Sequence, residues 1–476
     1  MNVKLVFNFL GKILAFFSFI FVLPILVAYY FGEQLEPFLI AAAISLAIGL
    51  TMMFIKSESD LLRYKEAFAI VALGWLFVSI VGCIPYVVIG VNFVDSFFEA
   101  MSGFTTTGAS IFDKPEVLPK SILFWRALTQ WLGGMGIIVL FLAVLPSVAI
   151  KGSALFQAEY PGVGLERIKP RLRDTALILY SIYLLFTFLE ITFLYLLGVS
   201  LFDAVTHTFT TLSTGGFSTH SESIAYFKNP AIEMIIAIFA AIGGMNFAIY
   251  YHLLNRRWKY LKDVEFRIYI FIISISIIAL TLLNLEKFDI IDSFRYSAFQ
   301  AISIMTTTGF TTYDFDTWSD GARLILLTLM FIGGCSGSTG GGIKITRIYI
   351  LAKYSVLQIL KAAEPKTARA ILYGDKVIKK DIVDDVVAFF ILYVVIFTFS
   401  TLFMTISGFD IVTSASAVAA NLGNVGPALG LAGASETYSA FPIYIKLMLI
   451  FNMWVGRLEI FTVLSLFVPS FWKERW

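Results

Sequence analysis

The chain has 476 residues, of which 58% are hydrophobic, 16% aromatic and only 14% charged, with a formal net charge of +2 and a mean hydropathy of +0.84. This balance excludes a soluble domain of that length and points to an all-α polytopic membrane protein; no nucleic-acid partner is expected. Cys83 and Cys335 form no CxxC pair and lie in apolar or Gly-rich sequence, so they read as buried, unpaired thiols without a redox or zinc role.

In chain order, hydropathy predicts ten full spans, near residues 13–31, 37–55, 67–90, 122–148, 174–198, 230–254, 267–285, 322–355, 383–406 and 441–468. Each is long enough to cross about 30 Å of hydrocarbon. No small-residue cleavage pattern follows the first, which reads as a retained helix. Among the ten, only the eighth is expected to be interrupted. Segments 94–107, 202–215, 292–308 and 410–425 are too short and too polar at one end to span, and they suit re-entrant half-helices.

Each half-helix ends in a Ser/Thr/Gly/Asn cluster: Thr105-Thr106-Thr107-Gly108, Ser213-Thr214-Gly215-Gly216, Thr306-Thr307-Thr308-Gly309 and Asn424-Val425-Gly426. Four copies, each before a long apolar segment, imply four parallel helix, pore loop, helix repeats around one axis. Such a plan brings backbone carbonyls to a shared centre at membrane depth without exposing them to lipid, a suitable arrangement for dehydrating a small monovalent cation. The expected organisation is two N-terminal transmembrane helices (1–65) and repeats at 66–150, 174–254, 265–355 and 381–470. An Asp stands near the start of each half-helix, Asp95, Asp203, Asp292 and Asp410, and is expected as its N-cap; the spacing to the register glycine suggests that the later two half-helices start a turn earlier. Glu99, His207 and Gln300 each lie nine residues before that glycine, where buried hydrogen bonding could brace the half-helix.

A second repeated mark follows in each next span: Gly133-Gly134-Met135, Gly243-Gly244-Met245, Gly333-Gly334-Cys335 and Val455-Gly456-Arg457. Small residues there let helices approach closely. The third copy runs Gly333-Gly334-Cys335-Ser336-Gly337-Ser338-Thr339-Gly340-Gly341-Gly342, and its glycines disfavour helix by about 1 kcal/mol each, so a break is expected. In the fourth, Arg457 places a charge in an apolar span at a cost of about 2.5–3.5 kcal/mol, which makes it a functional candidate.

Lys and Arg set the orientation. The stretches 1–12, 56–66, 150–173, 255–267, 343–380 and 471–476 hold 26 of the 35 basic residues, so both termini are expected in the cytoplasm and all four clusters open outward. His207, His220 and His252 show no metal-ligand spacing, and neither a GxSxG nor an HExxH motif supports an enzyme. A secondary transporter for a small organic solute, with a midplane site at broken helices, is the alternative; it usually shows inverted two-fold repeats instead of four parallel ones.

The motifs TTTGAS, STGGFSTH, TTTGFTT and NLGNVGP, with IGGCSGSTGGGIKITR and WVGRLE, resemble the Trk/Ktr/HKT superfamily of K+ transporters over about residues 66–470. The two extra N-terminal helices make the chain most like the longer Trk-type membrane subunit. The resemblance implies that Thr106, Thr107, Gly108, Thr214, Gly215, Gly216, Thr307, Thr308, Gly309, Asn424, Val425 and Gly426 offer carbonyl rings to K+, the transported ion, and that Rb+ also passes. With one register glycine per cluster the filter would be short, and the second and fourth copies, departing from TTTG, make its rings unequal. It further implies a gate below the filter in the Gly-rich loop (Gly333, Gly334, Ser336, Gly337, Ser338, Thr339, Gly340, Gly341, Gly342), with Lys344 and Arg457 nearby. A cytosolic nucleotide-binding regulatory subunit of TrkA type docking on the basic loops, a homodimer in the lipid of a bacterial inner membrane, and no organic cofactor complete what the resemblance implies.

Overall fold

The computed structural model describes residues 1–55, 63–136, 172–365, 370–374 and 376–473. Among these, six helices are long and apolar enough to cross a membrane, and two further pairs qualify as bent spans. The first runs Val3–Phe31 and the second Glu36–Met53. They cross where Gly11 and Gly49 meet; a Cβ on Gly11 would lie 2.7 Å from Gly49 O, and Ser45 Oγ donates to Leu14 O at 2.8 Å. Close backbone approach at small residues is how apolar helices associate when no water is available to drive them together. The pair covers the first repeat through aromatic contacts: Phe21 stacks on Trp125 at 4.7 Å, and Phe17 and Phe104 meet edge-on at 5.7 Å. Accordingly 67% of the apolar 18-residue stretch of Tyr64–Val88, the first span of repeat one, is buried, against 22% in the corresponding stretches of Val264–Asn284 and Lys380–Ile406. Their exposed Phe271, Ile278, Phe399 and Ile406 form the apolar outer face that lipid would cover.

Four half-helices follow the first spans: Phe93–Phe104, Leu201–Leu212, Ile290–Met305 and Ile411–Leu422. Their caps correct the sequence expectation. Only Asp410 is an N-cap, accepting from Thr413 N. In the other three the caps are Asn92, Ser200 and Asp289, and Asp95, Asp203 and Asp292 sit three residues later in the first turn. Ser200 Oγ both accepts from Asp203 N and donates to Asp203 Oδ2, which ties the cap to the first turn. Only the third half-helix starts a turn early, and the fourth matches the first two in length.

The second spans depart most from expectation. The third is broken as predicted, with helices Asp320–Ile332 and Ile345–Ala363 on either side of the Gly-rich stretch. The second is also broken: Pro230–Gly243 and Phe247–Leu254 meet at 95°, where Asn246 caps a new helix by accepting from Ala248 N at 2.9 Å. In the fourth, Ile443–Leu458 and Ile460–Phe467 meet at 118°, because Glu459 at φ +67° ends the first helix. In repeat one the helix Lys120–Gly134 ends at the paired glycines; residues 137–148 of the expected span lie outside the described residues. A short antiparallel hairpin pairs Leu372–Tyr373 with Lys376–Val377 beyond the third repeat, a small exception to the all-helical expectation.

Candidate functional site

The four clusters share one backbone conformation. Thr106, Thr214, Thr307 and Asn424, each two residues before the register glycine, have φ between +54° and +62°, and Gly108, Gly216, Gly309 and Gly426 have φ of +76° to +96°. A left-handed β-branched residue is a genuine outlier, costing about 1–3 kcal/mol, and three of the four are threonines. The intervening residue anchors the turn in every copy: Thr107 N, Gly215 N, Thr308 N and Val425 N donate to Ser102 O, Thr210 O, Ser303 O and Ala420 O at 2.7–2.9 Å. With the amides turned back to the half-helix, the carbonyls are left for the axis. Those of Thr106, Thr107, Thr214, Thr307, Thr308, Asn424 and Val425 accept no hydrogen bond among the described residues.

The glycines close the ring. A Cβ on Gly108 would collide with Gly215 O, one on Gly216 with Thr308 O, one on Gly309 with Val425 O, and one on Gly426 would stand 2.6 Å from Thr107 O. Each register glycine therefore abuts the carbonyl of the next repeat, in the order one, two, three, four and back to one. All four glycines also line a single cavity of about 120 Å³. The C-terminal ends of four half-helices, which carry partial negative charge, converge on the same centre.

Braces hold the outgoing segments. Glu99 accepts from Ile111 N at 2.9 Å and Ser110 Oγ at 3.1 Å, His207 Nε2 meets Ser218 Oγ at 3.1 Å, and Gln300 Nε2 donates to Phe310 O at 3.3 Å. These are the bracing roles expected from the spacing. In the fourth copy Ala417 holds the corresponding place, and Ser416 Oγ takes over by accepting from Leu429 N at 3.0 Å.

On the other side of the ring lies the Gly-rich loop. Thr339 Oγ1 donates toward Leu212 O and Gly243 O, both at 3.0 Å, and lies 3.2 Å from Thr214 Oγ1. Gly341 N donates to Thr307 Oγ1 at 2.8 Å, and Cβ atoms on Gly340 and Gly341 would crowd Thr306 O and Asn424. The loop thus packs directly against the ring's left-handed residues. Arg457 reaches it as the resemblance implies: Nη1 donates to Thr339 O at 2.6 Å, and Nη2 to Gly133 O at 2.6 Å and Gly134 O at 2.9 Å. Lys344 donates to Gly340 O within the same loop. Gly333 and Gly334 begin the loop, and Ser336, Gly337, Ser338, Gly340, Gly341 and Gly342 line a cavity of about 60 Å³ together with Lys344 and Arg457. Glu265, buried, anchors its far end by accepting from Ser336 N at 2.7 Å and Thr346 Oγ1 at 2.6 Å.

The paired glycines behave as close-packing residues. Cβ atoms on Gly133 and Gly456 would strike Phe104 O and Leu422 O, and one on Gly243 would lie 3.0 Å from Leu212 O, each the carbonyl four residues before its own register glycine.

Charge counting alone missed two buried cations. Arg126, 3% exposed, pairs with Glu99 at 2.8 Å, donates to Ser218 O at 3.0 Å, and lies over the Phe217 ring at 4.3 Å, so it joins repeats one and two. Lys446 bonds Asp95 Oδ1 at 2.6 Å and Ser439 O at 2.8 Å, joining repeats four and one. Both were expected among the outer-face charges. The only available signal was their position within apolar helix sequence. Among the described residues no three His, Cys, Asp or Glu converge on a metal-sized site, and Cys83 and Cys335 are buried and unpaired.

A family model described as TrkH, a cation transport protein, matches residues 35–474. The Trk system potassium uptake protein TrkH of Salmonella typhimurium is 37% identical over the full length of both chains, and that of Halomonas elongata is 36% identical over the full length of both. The TrkG protein of Escherichia coli K12 is 34% identical over 99% of each. The crystal structure of the potassium transporter TrkH from Vibrio parahaemolyticus superposes with a TM-score of 0.90 at 35% identity, covering 99% of this chain and all of that one.

Proposed function

The chain belongs to the TrkH family of cation transport proteins, a family of transporters and not of enzymes, and from that premise we propose that it is the membrane subunit of a K+ uptake system. Ions cross through the ring of Thr106, Thr107 and Gly108, Thr214, Gly215 and Gly216, Thr307, Thr308 and Gly309, and Asn424, Val425 and Gly426. One observation carries the reading: four register glycines, each abutting the next repeat's carbonyl, close a ring whose neighbouring carbonyls are almost all unengaged. Carbonyl oxygens at membrane depth replace the hydration shell of K+, which holds its water weakly, and Rb+ follows it for the same reason.

The loop 333–342 is the gate. It blocks the path beneath the ring, and its carbonyls are held by Arg457 and Lys344. A Gly-rich segment has few apolar contacts of its own, so a modest preference of a partner for one arrangement shifts it. That partner is a cytosolic nucleotide-binding subunit of TrkA type, docking on the basic loops near 255–267 and 361–380, where Trp258 is exposed, and on 150–173, nearly all of which lies outside the described residues. The protein works as a homodimer in a bacterial inner membrane with both termini in the cytoplasm.

Uptake of radioactive rubidium into proteoliposomes tests the function. Unlabelled K+ is expected to compete and organic solutes are not. Displacement by an organic solute without displacement by K+ would overturn it in favour of a secondary transporter.

A further inference from the structure

The second filter segment reads Ser-Thr-Gly-Gly where the first and third read Thr-Thr-Thr-Gly, and the structure holds a reason. In repeats one and three the threonine before the register glycine turns its hydroxyl inward: Thr107 Oγ1 lies 2.8 Å from Thr105 Oγ1, and Thr308 Oγ1 lies 2.7 Å from Thr306 Oγ1. In repeat two the position is Gly215, and a Cβ there would stand 2.5 Å from Gln130 Oε1 and 2.8 Å from Gln130 Nε2. Gln130 comes from the second helix of repeat one and is fully buried. It is bonded twice to the filter backbone, donating from Nε2 to Gly215 O at 2.7 Å and accepting at Oε1 from Phe217 N at 3.0 Å. At the matching place, three residues before the repeated mark, the other repeats carry Ala240, Met330 and Asn452, and Asn452 accepts at Oδ1 from Ser400 Oγ at 3.2 Å.

We infer that Gln130 is a specificity-determining positioning residue: its amide replaces the missing threonine and sets where one of the four ring carbonyls, Gly215 O, points. This rests on reading the ring as the ion filter. The bond makes the second quarter of the ring electrostatically unequal to the others, because the Gly215 oxygen shares its charge with an N–H donor before any cation arrives. A carbonyl so tethered also cannot move inward to meet a smaller ion, and Na+ gains most from such movement.

The test combines three variants, each reconstituted at equal density, with rubidium uptake competed by K+ or Na+. Gln130→Leu removes both bonds at similar volume. It is expected to insert, to keep transporting, and to reduce the K+-over-Na+ preference by roughly fivefold to tenfold, the scale of one lost neutral hydrogen bond. Gly215→Thr alone is expected to abolish uptake through collision with Gln130. The double variant Gln130→Ala with Gly215→Thr rebuilds the arrangement of repeats one and three and is expected to recover uptake together with the K+-over-Na+ preference that Gln130→Leu loses; relief of the collision alone returns uptake without the preference. Unchanged preference in Gln130→Leu, or no recovery of that preference in the double variant when both proteins insert normally, overturns the inference. Gly108→Ala serves as the separate control: if it too leaves uptake and preference intact, the filter reading itself has failed, whereas loss of uptake there with unchanged Gln130→Leu removes only the role of Gln130.

Discussion

At the level of single residues the register glycines are the least replaceable positions, for two independent reasons. Their φ values lie where a side chain is strained, and the Cβ direction is occupied by the next repeat's carbonyl oxygen. Gly216→Ala is therefore expected to abolish rubidium uptake while the protein still inserts; rescue of a K+-uptake-deficient strain at low K+, with membrane expression measured in parallel, checks it. The buried pair of Arg126 and Glu99 makes a different demand. Glu99→Leu leaves the guanidinium unpaired and is expected to destabilise the folded protein by about 3–5 kcal/mol, whereas adding Arg126→Met should restore much of that loss. Thermal unfolding in detergent, compared across the single and double variants, reads both effects. Glu99 was legible as a brace from its spacing; its cation partner was not, because nothing along the chain distinguishes a buried arginine from one in an outer loop.

Among elements, the second spans divide what composition can reveal from what it cannot. Six glycines in the ten residues 333–342 announce a break. The bend at Gly244–Asn246 left only a weaker trace, an asparagine able to cap a new helix, and the bend at Glu459 left none, since a left-handed glutamate is imposed by what surrounds it. These breaks place Arg457 so that it can grip the Thr339 carbonyl. Arg457→Ala, or a deletion within 333–342, is expected to raise basal rubidium flux in the absence of the cytosolic partner and to leave the K+-over-Na+ preference unchanged. Flux from purified variants at equal reconstitution decides this; lower membrane yield with no gain in flux would instead make Arg457 a structural clamp.

For the whole molecule, closure of the ring and attachment of the N-terminal helices are separable. Lys446 with Asp95 joins the last repeat to the first, and Arg126 with Ser218 joins the first to the second. The N-terminal pair, held together at its own Gly11 and Gly49 crossing, instead leans on repeat one through the Phe17, Phe21 and Trp125 cluster. Gly11→Leu is expected to lower the unfolding temperature in detergent by several degrees and to leave ion preference unaltered, because no residue of the pair lines the cavity at the register glycines. A change in preference measured by rubidium competition would show that the pair shapes the filter.

From sequence alone came the membrane class, the four clusters, their register glycines and the break in the third repeat. All of these are local matters of composition and spacing, repeated four times and so readable without knowing what touches what. Tertiary structure decided the rest: which carbonyl each glycine abuts, that Arg457 reaches Gly133 across 324 residues of chain, and that Gln130 occupies the space left by Gly215 across 85. Such contacts are set by the folding of distant helices onto one axis, and no periodicity along the chain records them.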